Sequence, residues 1–256
     1  KGYVVLAIDH SESTHADLAD YKSTLMHRAR DIRFVMQRVA ALASQQHDFW
    51  QHCDYQNIGL VGYSMGGYGV LNVAGAGYSE RFIHHPKGLP AHWLADLAAD
   101  NPTFVDAISP NLKAMVTFAP YGAKLHAWDE RGMAGIKVPS FYVCGDMDDI
   151  SGYRDGVKKL FEQSSECDRY LLTYHQCRHN CAPNPPPEAS LDSPRDFWHY
   201  AEPAWDMRRL NNINQHFASA FFGKYLKGEA TPALSLVAES NAGSYSQQPG
   251  EPVRAG

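Results

Sequence analysis

The sequence predicts an α/β protein, a mostly parallel sheet with helices on both faces, and three observations predict it. Short apolar runs rich in Val, Leu, Phe and Tyr alternate along the chain with longer stretches of helical periodicity. The runs are apolar almost throughout, as strands buried on both faces are. The chain is also long enough for one domain of the larger α/β kind, with 256 residues, 44% of them hydrophobic and 20% charged.

Taken in order, residues 3–9 (Tyr3-Val4-Val5-Leu6-Ala7-Ile8-Asp9) are expected to form a first buried strand. Leu25, Ala29, Ile32, Val35, Met36, Val39 and Leu42 recur at helical spacing, so residues 23–46 read as an amphipathic helix. Residues 57–62 are a second strand, followed by a Gly-rich turn and a helix running through 70–76. Three more strands are expected at 114–119, 140–144 and 169–174. Residues 79–111 carry Phe82, Trp93, Leu94 and Phe104 among His, Pro, Asn and Asp. A connection of that length in a compact domain is usually functional or partly helical, so it is expected to cap the site. Met207, Leu210, Ile213, Phe217, Phe221 and Tyr225 mark the apolar face of a terminal helix across 206–227. The domain is therefore drawn over 1–228, with 229–256 a tail in which Ser, Gln, Gly and Pro dominate from Gly243 on.

Composition excludes several classes of partner. A formal net charge of -5 and a pI near 6.2 exert no general pull toward nucleic acid or anionic lipid. The longest apolar runs are strand-sized, so no membrane span is expected. The chain opens at Lys1 without a Met and enters a β-rich run almost at once, which reads as a piece of a longer protein. Five cysteines suit neither a disulfide scaffold nor a clear zinc framework.

The chemistry centres on Gly62-Tyr63-Ser64-Met65-Gly66, a G-x-S-x-G sequence between a short apolar strand and a helix. A strained strand-to-helix turn pushes a serine Oγ out of a sheet, and flanking glycines let the two elements approach. Ser64 is the expected nucleophile. The backbone N–H of Met65, at the start of a helix, is an expected oxyanion donor.

A serine hydroxyl needs a base within reach, and the base needs an orienting group; in strand-turn-helix sites of this kind the chain order is Ser, acid, His. The strand at 140–144 runs into Gly145-Asp146-Met147-Asp148-Asp149. Asp148 is the expected acid, because a turn from Gly145 would bring the third residue back over the sheet edge; Asp149 and Asp146 are the alternatives. Beyond the last strand, His179 is preferred over His175, which lies nearer the strand body. His84, His85, His92 and His126 precede the acid and are assigned to the surface or the cap. His175, Cys177, His179 and Cys181 fall at every second position. Four ligands from one strand diverge too far to close a tetrahedron, so no metal is expected. A disulfide bracing the loop, Cys177 with Cys181 or Cys167, is the preferred reading.

With these motifs in place, residues 1–228 resemble α/β-hydrolases of the dienelactone hydrolase-like group, neighbours of polyester hydrolases and platelet-activating-factor acetylhydrolases. Gly2–His10 resembles the family's fourth strand, Gly62–Gly67 its nucleophile turn, Val138–Asp148 its acid strand and Arg178-His179-Asn180 its histidine loop. The resemblance implies Ser64, Asp148 and His179 as a triad, Met65 N–H as one oxyanion donor, no cofactor, and a small or polymeric ester as substrate. A serine where dienelactone hydrolases carry a cysteine points to ordinary carboxylic esters. The resemblance also implies that three strands and the second oxyanion donor precede Lys1, and it favours a secreted or periplasmic setting. Two other functions fit the same residues: peptide cleavage or acyl transfer by the same triad, and non-catalytic binding on a hydrolase fold.

Overall fold

The computed structural model describes residues 2–13, 21–45, 48–84 and 89–230. Four of the predicted strands assemble into one sheet: β1 (Ile58–Tyr63), β2 (Leu112–Phe118), β3 (Ser140–Gly145) and β4 (Arg169–Tyr174). They lie side by side in chain order, and every neighbouring pair is parallel. The chain is thus an α/β protein with an all-parallel sheet.

Its side chains split to two faces with the period of 2 that a pleated strand imposes. On β2 the alternation runs from Ala114 on, with Ala114, Val116 and Phe118 in one core and Met115 in the other; Leu112, which lies before a register shift against β1, joins Met115. On β3, Tyr142 and Cys144 face the first core and Phe141 and Val143 the second. The first core is covered by α1 (Tyr21–Ser44) and α2 (Met65–Val73), through Leu25, Ala29, Ile32 and Met36 against Tyr68 and Leu71. Four short helices intervene along the chain, α3 (Glu80–Ile83), α4 (Pro102–Asp106), α5 (Glu130–Met133) and α6 (Lys158–Gln163), and α7 (Pro194–Tyr200) follows β4. The second core is closed by α8 (Met207–Lys227), which buries Leu210, Phe217 and Phe221. Asp206 caps that helix by accepting from the Arg209 N–H, and Gly228 ends it at a positive φ of 69°.

One predicted strand does not form. Residues 2–9 carry no strand pairing, and Val5 is 84% exposed. The run has a strand's composition, but a strand needs a neighbour's N–H and C=O groups, and among the described residues none is offered to it. Tyr3 rests instead on the end of α8, edge to face with Phe222 at 6.5 Å between ring centroids and with Lys227 Nζ 4.1 Å from its own ring centroid. β1 is an edge strand of the sheet, with Val61 exposed.

The described residues of 79–111 (79–84 and 89–111) include short helical turns, and Phe82, Leu94, Leu97 and Phe104 sink into the first core. The expected tail, 229–256, lies outside the described residues beyond 230. No helix among the described residues is long and apolar enough to cross a membrane.

Candidate active site

In a parallel sheet every strand points the same way, so the loops after the strands gather at one edge. Three such loops meet here: the turn after β1 carries Ser64, the turn after β3 carries Asp148, and the segment after β4 carries His179.

Ser64 continues the β1 ladder through its N–H, which donates to the Phe118 carbonyl at 2.9 Å. It then reverses the chain with φ 52° and ψ -113°, a conformation that costs a non-glycine residue roughly 1–3 kcal/mol. Its carbonyl holds the turn by accepting from Tyr68 N–H (3.1 Å) and Tyr121 N–H (3.0 Å). The hydroxyl does not cap α2, so it is not there to start the helix. Met65 opens α2, and its N–H lies in the first turn, where the helix supplies no acceptor. The glycines divide their work differently from the expected pattern. A Cβ on Gly62 would lie 2.4 Å from the Gly66 carbonyl oxygen, and one on Gly67 would lie 2.7 Å from the Pro120 ring. A Cβ on Gly66, the motif's second glycine, would meet nothing within 4 Å.

His179 Nε2 lies 2.9 Å from Ser64 Oγ, and His179 Nδ1 lies 3.0 and 3.1 Å from the two carboxylate oxygens of Asp148. The structure therefore brings together the serine, acid and histidine chosen from the sequence. With its proton on Nδ1 and donated to Asp148, the imidazole leaves Nε2 free to accept from the hydroxyl. Tyr63 packs its ring against the imidazole at 5.2 Å between centroids.

The Asp148 side chain is fully buried. Burial pushes its pKa up, but the hydrogen bond and charge of His179, with N–H groups of Ser151 (2.8 Å) and Ile150 (2.9 Å), outweigh burial and hold the carboxyl below its ordinary value. The two alternative acids have other partners. Asp146 holds His175 Nδ1 at 2.7 Å and accepts from the Gln176 N–H, and Asp149 pairs with Arg178. Each of the three aspartates thus contacts a different residue of the histidine loop.

All five cysteines are free thiols, so the expected disulfide is not formed. Cys177 and Cys181 are buried apolar packing residues, and burial pushes both thiols well above the ordinary range. The alternation of His and Cys breaks because the segment after Tyr174 turns, with Gln176 at a positive φ of 54°, instead of staying extended. Among the described residues no group of three or more His, Cys, Asp or Glu could hold a metal ion.

The triad opens on a cavity of about 530 Å³. Its far wall is built by residues 198–203, at and beyond the end of α7, including Trp198, His199 and Glu202. None of the described residues of 79–111, the segment expected to cap the site, lines it. Sequence reasoning passed over this wall because α7 is short and polar and carries no helical apolar stripe; the dense Trp198-His199-Tyr200 aromatic cluster was the available signal. Nor did it pair Tyr63 of the turn motif with Asn180 of the histidine loop, a contact between residues 117 positions apart.

No protein-family model matches the sequence, and no curated protein matches it.

Proposed function

We propose that the protein is a serine hydrolase of the α/β-hydrolase fold that cleaves carboxylic esters through an acyl-enzyme. The observation that carries the reading is the continuous relay from Ser64 Oγ to His179 Nε2 at 2.9 Å and from His179 Nδ1 to Asp148 at 3.0 Å. Its supports are the strained turn that presents Ser64, the first-turn N–H of Met65 beside it, and a cavity large enough for a small ester.

In this mechanism Ser64 attacks the ester carbonyl while His179 takes its proton at Nε2, and Asp148 holds the ring in the tautomer that can accept. The carbonyl oxygen becomes an oxyanion, and the Met65 N–H donates to it. As the intermediate collapses, His179 returns the proton to the departing alkoxide, leaving Ser64 acylated. Water then attacks the acyl group, gives a proton to His179, and the proton returns to Ser64 as the acid leaves.

A fluorophosphonate probe tests this directly. The wild-type protein should label at one site and Ser64→Ala should not label; a folded wild-type protein that takes no label overturns the proposal. Hydrolysis of p-nitrophenyl acyl esters should outpace that of matching p-nitroanilides, and faster anilide cleavage would move the protein to the peptidases.

A further inference from the structure

Beside the contact between Ser64 and His179 lies a second bridge, one residue along on each side. The Tyr63 hydroxyl donates to Asn180 Oδ1 at 3.0 Å, so the residue before the nucleophile is bound to the residue after the base. The Asn180 amide then uses both its protons on the cavity wall, donating to the carbonyls of Trp198 (2.7 Å) and Ala201 (2.8 Å). An amide whose two donors and one acceptor position are all engaged has one orientation. The Tyr63 ring, held by the same hydroxyl contact, lies against the imidazole. The wall that Asn180 holds carries Trp198, a residue 55% exposed that lines the cavity containing Ser64. Ile150, also exposed, lines the same cavity, and apolar side chains around a few convergent polar groups are the features expected of a binding pocket.

We propose that Asn180 is the positioning residue of this site. Its amide locks the end of α7 to the nucleophile strand, and one side chain thereby sets two things: the seat of His179 above Ser64, and the place of Trp198. Trp198 is the surface on which the apolar part of the substrate beyond the ester carbonyl lies. This rests on the serine hydrolase reading above and adds to it a specificity determinant on α7.

The test uses the full chain and p-nitrophenyl esters of acetate and octanoate. Asn180→Ala should lower kcat on the acetate about ten- to hundredfold, the order of loss expected when a catalytic group moves by about 1 Å. It should also displace the pH profile of kcat/KM and raise KM for the octanoate. Tyr63→Phe, which loses only a hydroxyl, should lower kcat without touching the wall. The double variant should lose much less than the product of the two single losses, because both remove the Tyr63–Asn180 bond and Tyr63→Phe loses besides it only the longer 3.4 Å contact to the His179 carbonyl. Asn180→Asp keeps the acceptor for Tyr63 and loses both donors, so it should recover much of kcat while KM for the octanoate stays raised. Trp198→Ala should raise KM for the octanoate more than for the acetate.

An Asn180→Ala protein that melts cooperatively and keeps the wild-type kcat and pH profile overturns the inference, as do losses that multiply in the double variant. In either case a wild-type protein that labels at Ser64 leaves the hydrolase reading standing. A wild-type protein that neither labels nor hydrolyses these esters overturns both.

Discussion

A Cβ placed on Gly145 would lie 2.0 Å from the carbonyl oxygen of Cys177. Gly145 ends β3 and starts the turn to Asp148, while Cys177 lies two residues before His179, so this contact is where acid turn and histidine loop meet. The Met147 N–H donates to the same carbonyl at 3.0 Å, and the Asp146 N–H donates to Tyr174 at 3.0 Å. Only a glycine lets the two backbones close to this distance. Gly145→Ala should therefore cost about 3 kcal/mol of stability, in the range of severe overpacking of backbone against backbone. Chemical denaturation measures the loss, and fluorophosphonate labelling should slow with it as Asp148 and His179 separate.

The two glycines of the G-x-S-x-G motif should behave differently. Gly62→Ala drives a methyl into the Gly66 carbonyl and should lower the melting temperature sharply. Gly66→Ala meets open space inside α2, where alanine is favoured over glycine by up to about 1 kcal/mol, so the melting temperature should hold or rise. Equal destabilisation by the two substitutions would contradict the packing described here.

Two buried carboxyls beside the site should give opposite pH dependence. Asp148 has its folded pKa below the ordinary 3.8, so as pH falls the unfolded chain takes up the proton first. Its stabilisation is complete above about pH 5 and is lost as pH drops through the folded value. Glu202 is raised above its ordinary 4.5, because burial outweighs the partly offsetting Arg178 and Ala204 N–H groups and the Arg178 charge. There the folded protein takes the proton first, and the cost is felt at neutral pH. Among the described residues, neither Glu202 oxygen meets a partner in hydrogen-bonding geometry. Stability curves from pH 3 to 8 should show Asp148→Asn losing most above pH 5 and converging with wild type in acid. Glu202→Gln should gain stability at neutral pH, a gain that vanishes in acid.

With every cysteine free, a reductant should leave the melting temperature unchanged. A loop disulfide would contribute about 2–4 kcal/mol, so a clear fall in stability on reduction would show that a bridge forms after all.

The elements that were legible in the sequence are those whose signal is local. β3 and β4 are continuous apolar runs, and α1 and α8 carry apolar residues every third or fourth position, because burial on a face imposes the period of the backbone. Ser64 was legible for the same reason, since strand, tight turn and helix sit within a dozen residues. The run at 3–9 carried the same apolar signal and formed no strand, because pairing depends on a neighbour far along the chain. Asp148 was preferred over Asp146 and Asp149 on turn geometry alone, and their separate partners on the histidine loop could not be read from a row of similar residues.

What the sequence by itself determined was the set of local units: which runs have the composition of a strand, which face of each long helix is apolar, and which serine sits on a tight strand-to-helix turn. Only the tertiary structure decided which aspartate meets which loop residue, that α7 walls the cavity, and that Tyr63 and Asn180 join across it. Backbone periodicity is written in neighbouring residues. Contacts between loops, by contrast, depend on how parallel strands bring their ends to one edge, and residues more than a hundred positions apart carry no mark of one another.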